Sequence, residues 1–148
     1  EMEFELAARQ HKRVELIEQV LKIRDDLARE LDCQNGVAVV PGHEPSSVLL
    51  WFLFAGWWSA PVQFATIPGQ SVSMDRKLSE LVQAVKQEPG TTLDRQEHLA
   101  LLARWFYSSF RDGTWIPFSS LERLSYRRLV SAISRVVHQT APAASNQS

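Results

Sequence analysis

Four histidines, one cysteine and a scatter of carboxylates are the groups of this chain whose types could do chemistry. His11, His43, His98 and His138 stand far apart, without a paired ligand at metal-binding spacing, and Cys33 alone does not make a zinc cluster. Asp25 and Asp26 are neighbours, but on a helix they point about 100° apart and do not share one proton or one metal. Asp94 and His98 lie one helical turn apart, a pair found on many surfaces. Gly69-Gln70-Ser71 lacks the lysine and the glycine spacing of a phosphate loop, and neither a Gly-x-Ser-x-Gly elbow nor a Ser-x-x-Lys string occurs. The motifs thus imply no catalytic residue, no metal and no cofactor. A carboxylate pair assembled across the fold would leave no trace of this kind, so enzymatic activity stays open.

Two other sets of residues point to binding. After Glu97 the chain carries Arg104, Arg111, Arg123, Arg127, Arg128 and Arg135 against Asp112 and Glu122 only. Helical spacing puts Arg128, Ser131, Arg135 and His138 on one outward stripe with Arg127 beside it, which suits either phosphate contact or a solvated face. Trp51, Trp57 and Trp58 could form an aromatic platform for a ligand or for stacked bases. No charged residue lies between Glu44 and Asp75, however, so the platform lacks interleaved cations, and the favoured reading of these aromatics is core.

The whole chain has 148 residues and a formal net charge of −1, which gives no global attraction to nucleic acid or anionic lipid. The distribution is uneven: six basic and ten acidic residues up to Met74 give −4, and ten basic and seven acidic from Asp75 onward give +3. A lone cysteine fits a reducing compartment, and cytoplasm is the expected location. The longest apolar run, Val48 to Ala55, is far short of the ~20 residues of a spanning helix, so no membrane association is expected.

These residues need elements to position them. Residues 1–32 read as one charged helix, with Phe4, Ala7, Ala8, Val14, Ile17, Val20, Leu21, Leu27, Ala28 and Leu31 mostly three or four apart. At 1.5 Å per residue it would be roughly 45 Å long, more than a small domain covers, so part of its apolar stripe should seek a partner. The half from Ile17 onward is expected to dock on the following domain while the Met2 to Val14 end projects. Gly36 is expected to end the helix with a positive φ. β-Branched and aromatic runs at Val37–Val40, Ser47–Ala55 and Val62–Ile67 then read as a three-stranded antiparallel meander, with a short fourth strand at Trp115-Ile116 after the Asp112-Gly113 turn. Three covering helices follow the meander. One runs from about Ser73 to Gln87. A second, capped by Asp94 and Glu97 and apolar nearly all round, is expected to be central. The last, with Ser119 and Glu122 at its start, turns Tyr126, Leu129, Val130, Ile133, Val136 and Val137 inward. The fold class is α+β, divided into an interaction helix at 1–33, a small domain at 34–140 and a disordered tail at 141–148.

One stretch resembles a known motif. Glu3-Phe4-Glu5-Leu6-Ala7-Ala8, followed by basic residues and then Val14 and Ile17, is similar to the UVR motif found in the B and C components of bacterial excinuclease ABC. Met2, Phe4, Ala7, Ala8, Val14 and Ile17 fall on its apolar positions, while His11-Lys12 replaces its Arg-Asp pair and the first helix of its hairpin is missing. Ala8 to Arg13, Leu50 to Leu53 and Leu102 to Ser109 with Asp112-Gly113 resemble the C-terminal part of excinuclease-C-like proteins that carry a GIY-YIG nuclease domain upstream. The resemblance implies a non-catalytic module of a DNA-repair endonuclease. Phe4, Ala7, Ala8, His11 and Val14 would bind the UVR-type helix of the excinuclease B component, and Arg127, Arg128 and Arg135 would touch DNA. A helix-mediated homodimer is a further expectation. The competing expectation is a small-ligand-binding or enzymatic domain that uses the aromatic sheet and the loop from Pro68 to Ser73 as a pocket.

Overall fold

The computed structural model describes residues 2–27, 29–66 and 74–140; in the first stretch, side chains are described for 4–18 and 27. The expected tail at 141–148 and the loop from Pro68 to Ser73 lie outside them, as do the side chains of Val20, Leu21 and Ala28 expected to dock. The chain divides into two compact units, residues 1–30 and 31–148.

The first unit contains helix α1, Met2–Leu27. It ends before the expected Asp32, and Leu31–Cys33 form a short 3-10 turn instead. Every described side chain from 4 to 18 is exposed, Phe4 at 83% and Leu6, Val14, Leu16 and Ile17 at half or more. At about 100° per residue, Phe4 and Leu16 lie about 120° apart and Phe4 and Ile17 about 140°. The apolar residues therefore encircle the rod, and the single stripe expected from their spacing resolves into two faces.

In the second unit, β1 (Gly36–Pro41) pairs antiparallel with β2 (Ser47–Phe54). The far side of β2 is shared: β4 (Val62–Ala65) takes Ser47 to Leu50, and the two-residue β3 (Trp57–Trp58) takes Leu53 and Phe54. β5 (Thr114–Pro117) adds to the free side of β1 and forms an edge. The sheet thus has five strands, the expected meander β1-β2-β4 extended by two short ones. Gly36 lies inside β1 rather than at a helix end. A Cβ there would fall 2.2 Å from Cζ2 of Trp115, so the glycine makes room for an indole on the neighbouring strand. Among the described glycines, positive φ occurs instead at Gly56 (88°) and Gly113 (96°), where the chain reverses after β2 and before β5.

Alternation sends Val37, Val39, Val48, Leu50, Phe52, Phe54 and Ile116 to one face, where they form one buried cluster with Leu78 and Val82 of α2 (Met74–Ala84) and Leu129, Ala132, Ile133 and Val136 of α4 (Tyr126–Thr140). Those four residues of α4 follow i, i+3, i+4, i+7 spacing and give one clean apolar stripe. α4 is therefore the central helix. α3 (Thr92–Phe106), expected in that place, buries Leu102 but leaves Leu93 and Leu101 exposed. Its apolar residues are spread around it, so no orientation buries them all, and it packs on the short β3 beside the other face of the sheet. Its cap also differs. Thr91 is the N-cap: its hydroxyl accepts from Asp94 N–H at 3.1 Å, and the Asp94 carboxylate accepts from Thr91 N–H at 2.7 Å. Asp94 is thus the third helical residue, and the expected Asp94–Glu97 box sits one turn too late. Ser119 lies just before a 3-10 turn at Leu121–Arg123 and Glu122 lies within it, while α4 starts after Ser125, whose Oγ accepts from Arg128 N–H at 3.4 Å.

Candidate functional site

The face of the sheet away from α2 and α4 carries large and small residues side by side. Ala38 and Val40 of β1 leave a depression next to Trp51 of β2, and Trp58 of β3 rises at one end. Across it stands α3, presenting His98, Leu101 and Trp105, which at i, i+3 and i+7 share one helical face. With Pro41 and Asp112 these residues line an open cleft of about 510 Å³. The aromatic walls are braced. Trp58 meets Trp51 edge-on at 6.4 Å between ring centroids and Trp115 at 6.1 Å. Its indole N–H donates to the His98 carbonyl at 3.1 Å, and Trp105 Nε1–H donates to the Asp112 carbonyl at 3.2 Å.

His98 is oriented by the sheet. The Trp58 backbone N–H donates to His98 Nδ1 at 3.0 Å, which assigns the proton of the neutral ring to Nε2. Nε2 engages no protein group among the described residues and remains a donor on the cleft wall. Asp94, one turn earlier, serves the helix rather than the cleft. The Thr91 hydroxyl, then the Thr91 backbone N–H, hold its carboxyl below the ordinary 3.8, with a smaller contribution from His98.

Trp57, expected on the platform, turns away from the cleft. Arg95 lies over its ring at 4.6 Å and reaches Asp32 at 2.7 Å, while Trp57 Nε1–H donates to the Thr91 carbonyl at 3.1 Å. The cations missing from the strand sequence are supplied by other elements. Arg111 lies 5.6 Å from the centroid of Trp105 and 4.7 Å from that of Phe106. Arg104, on the same helix as Trp105, is exposed.

A second concavity, about 260 Å³, runs beside the edge strand β5. Arg127, Arg128, Ser131 and Arg135 line it with Thr114 to Ile116. The three arginines expected to touch DNA thus share one groove, and none has an acidic partner among the described residues. On α1, the expected partner residues Phe4, Ala7, Ala8, His11 and Val14 fall within about 120° of one another on the helix. Leu6, Leu16 and Ile17 lie on the opposite side. His11 Nε2 is 3.5 Å from Glu15 Oε1, an exposed pair one turn apart.

Reading by motifs misses His98, Leu101, Trp105, Asp112 and Trp115. The signal is present in the spacing of the first three along α3, but without the sheet opposite it resembles the apolar surround of a buried helix. No cluster of three or more histidine, cysteine, aspartate or glutamate side chains that could hold a metal ion occurs among the described residues. None of the described helices is long and apolar enough to cross a membrane. No protein-family model, no curated protein and no solved structure matches this chain.

Proposed function

We propose that this chain is a non-catalytic interaction module of an excinuclease-C-like nucleotide-excision-repair endonuclease, working in the cytoplasm. In this reading α1 binds the UVR-type helix of the excinuclease B component and the arginine groove adds a contact to DNA. The observation that carries it is the exposure of α1: Phe4, Leu6, Val14, Leu16 and Ile17 all stand at least half exposed on a helix of 26 residues. Isolated helices are marginal in water, and large apolar side chains on both sides of one favour association with other helices. Phe4 beside the small Ala7 and Ala8 offers a knob with room for a close helical neighbour.

Calorimetry with a peptide carrying the UVR segment of the excinuclease B component tests it. Binding is expected, and Phe4→Ala should weaken it by at least about 2 kcal/mol, the loss typical of an aromatic hot spot. Unchanged affinity removes Phe4 from the site, and self-association of the chain without peptide binding assigns the helix to a homodimer. For the groove, duplex DNA should bind with a salt dependence whose slope falls by roughly 0.9 for each arginine contact removed, so that Arg128→Ala/Arg135→Ala flattens it by about 1.8. A second reading, a ligand-binding α+β domain that works through its aromatic sheet, is supported by the cleft, which a filled core would have closed.

A further inference from the structure

We infer that the cleft between Trp51, Trp58 and Trp105 is a binding site for a single nucleobase carrying a phosphate, held by stacking inside the cleft and by Arg111 at its rim. Every residue of the site belongs to the second unit, and the inference does not depend on partner recognition by α1. The cleft's volume, about 510 Å³, lies within the roughly 300–1,000 Å³ usual for small-molecule sites, and its lining is mostly aromatic and aliphatic. Such walls select a flat, apolar-faced ligand. Trp51 and Trp58 meet edge-on at 84°, so a planar ring lying on one indole meets the edge or face of the other.

The polar groups narrow the class further. His98 Nε2–H is an unused donor, fixed in orientation because Nδ1 already accepts from Trp58 N–H at 3.0 Å. The indole N–H of Trp51 likewise has no protein acceptor among the described residues, whereas those of Trp57, Trp58 and Trp105 are engaged. Asp112, which lines the cleft, forms no ion pair among the described residues and is available as an acceptor. Donors and an acceptor around an aromatic slot match the edge of a heteroaromatic ring better than that of a hydrocarbon or a sugar. Beyond Trp105, one guanidinium nitrogen of Arg111 is spent on the Phe106 carbonyl at 3.2 Å, and the rest of this exposed cation is free to meet an anionic substituent. A base with its phosphate satisfies all three features. Base stacking on aromatic side chains is tolerant of base identity, so these walls specify the class of ligand and not one base.

Titration of the full chain, followed by tryptophan fluorescence, tests this with adenosine 5′-monophosphate, a short oligothymidylate and ribose 5-phosphate. Saturable quenching is expected with the first two and none with ribose 5-phosphate, which has the phosphate without the base. If the oligothymidylate binds about ten-fold or more tightly than the mononucleotide, the base belongs to a single strand; equal affinity assigns a free nucleotide. Trp51→Leu should weaken binding about ten-fold or more. Because removal of an indole could disturb the fold, Leu101→Glu provides a second variant at a residue 58% exposed on α3, where added negative charge should repel the ligand without a folding cost. Arg111→Ala should weaken the mononucleotide more than adenosine. Phe4→Ala should leave all of these titrations unchanged, which separates failure here from failure of helix recognition. Equal binding of ribose 5-phosphate, absence of saturable quenching by both base-containing probes, or unaltered affinity in folded Trp51→Leu and Leu101→Glu overturns the proposal.

Discussion

Both faces of the sheet carry large apolar side chains and put them to different use. On the face beneath α2 and α4, Val37, Val39, Val48, Leu50 and Phe52 are fully buried, and the helices meet them with Leu78, Leu129 and Ile133, also fully buried. Side chains of the sheet and of both helices are buried against one another there in one cluster. On the face beside α3, tryptophans stand next to Ala38 and Val40, and the helix packs at the β3 end rather than across the strands. Large rigid rings beside small residues do not interlock, so a cleft remains. Hydrophobicity alone therefore does not decide what is sealed. The pairing of sizes and the placement of the covering helix do.

Truncation is the most forceful way to break this comparison. Phe52→Ala removes a fully buried ring from the sealed face and should cost about 3–5 kcal/mol in denaturant unfolding. Trp51→Ala removes a larger ring next door, yet it already borders the cleft and should cost less than half as much. Equal losses would mean that the cleft closes in solution and that both faces are packed alike.

Gly36→Ala is a gentler perturbation aimed at the open face. The new Cβ would come within 2.2 Å of the Trp115 ring, which must move, and Trp115 braces Trp58 at 6.1 Å. Overpacking of this kind costs about 1–3 kcal/mol. The change should appear in near-ultraviolet circular dichroism, which reports the tryptophans, while far-ultraviolet spectra stay as before. An unaltered near-ultraviolet spectrum would show that the indoles of this face are not held by one another.

Much of the sealed face is legible in the chain itself. The β-branched and aromatic runs at Val37–Val40 and from Ser47 onward mark strands, and the spacing of Leu129, Ile133 and Val136 marks one helical face. The assignment of α3 as the central helix fails because apolar residues all round a helix mark burial only when the neighbouring surfaces can accept them, and the neighbour here is a pair of tryptophans in a two-residue strand. Gly36 misleads for a related reason: its role depends on Trp115, 79 positions away in the chain, so no local pattern displays it. The cleft is half visible. Trp51 and Trp58 are evident, but the cation at Trp105 and the oriented His98 come from α3 and the loop after it, and only the tertiary fold brings them to the sheet. Arg127, Arg128 and Arg135 show the converse case, where helical spacing alone is enough to bring together residues that the fold then seats in one groove.

The smallest expected effect is on pH dependence, and it should fall on the open face alone. Asp94 has a folded pKa below its ordinary 3.8 because the Thr91 hydroxyl and backbone N–H donate to its carboxylate. A carboxyl with a depressed folded pKa stabilises the native state above the unfolded value, and that contribution disappears as pH falls through the lower folded value. Thermal melts of the wild type and Asp94→Ala should therefore differ above about pH 4 and converge in more acidic solution. The same cap supports the wall of the cleft, since the Thr91 carbonyl accepts from Trp57 Nε1–H and α3 carries His98 and Trp105. Loosening it should change the tryptophan signal before the β-sheet signal, because Asp94 caps α3, which packs on β3, while the buried cluster is formed with α2 and α4. Simultaneous loss of both signals would show that the two faces unfold as one unit and that the cleft has no independent give.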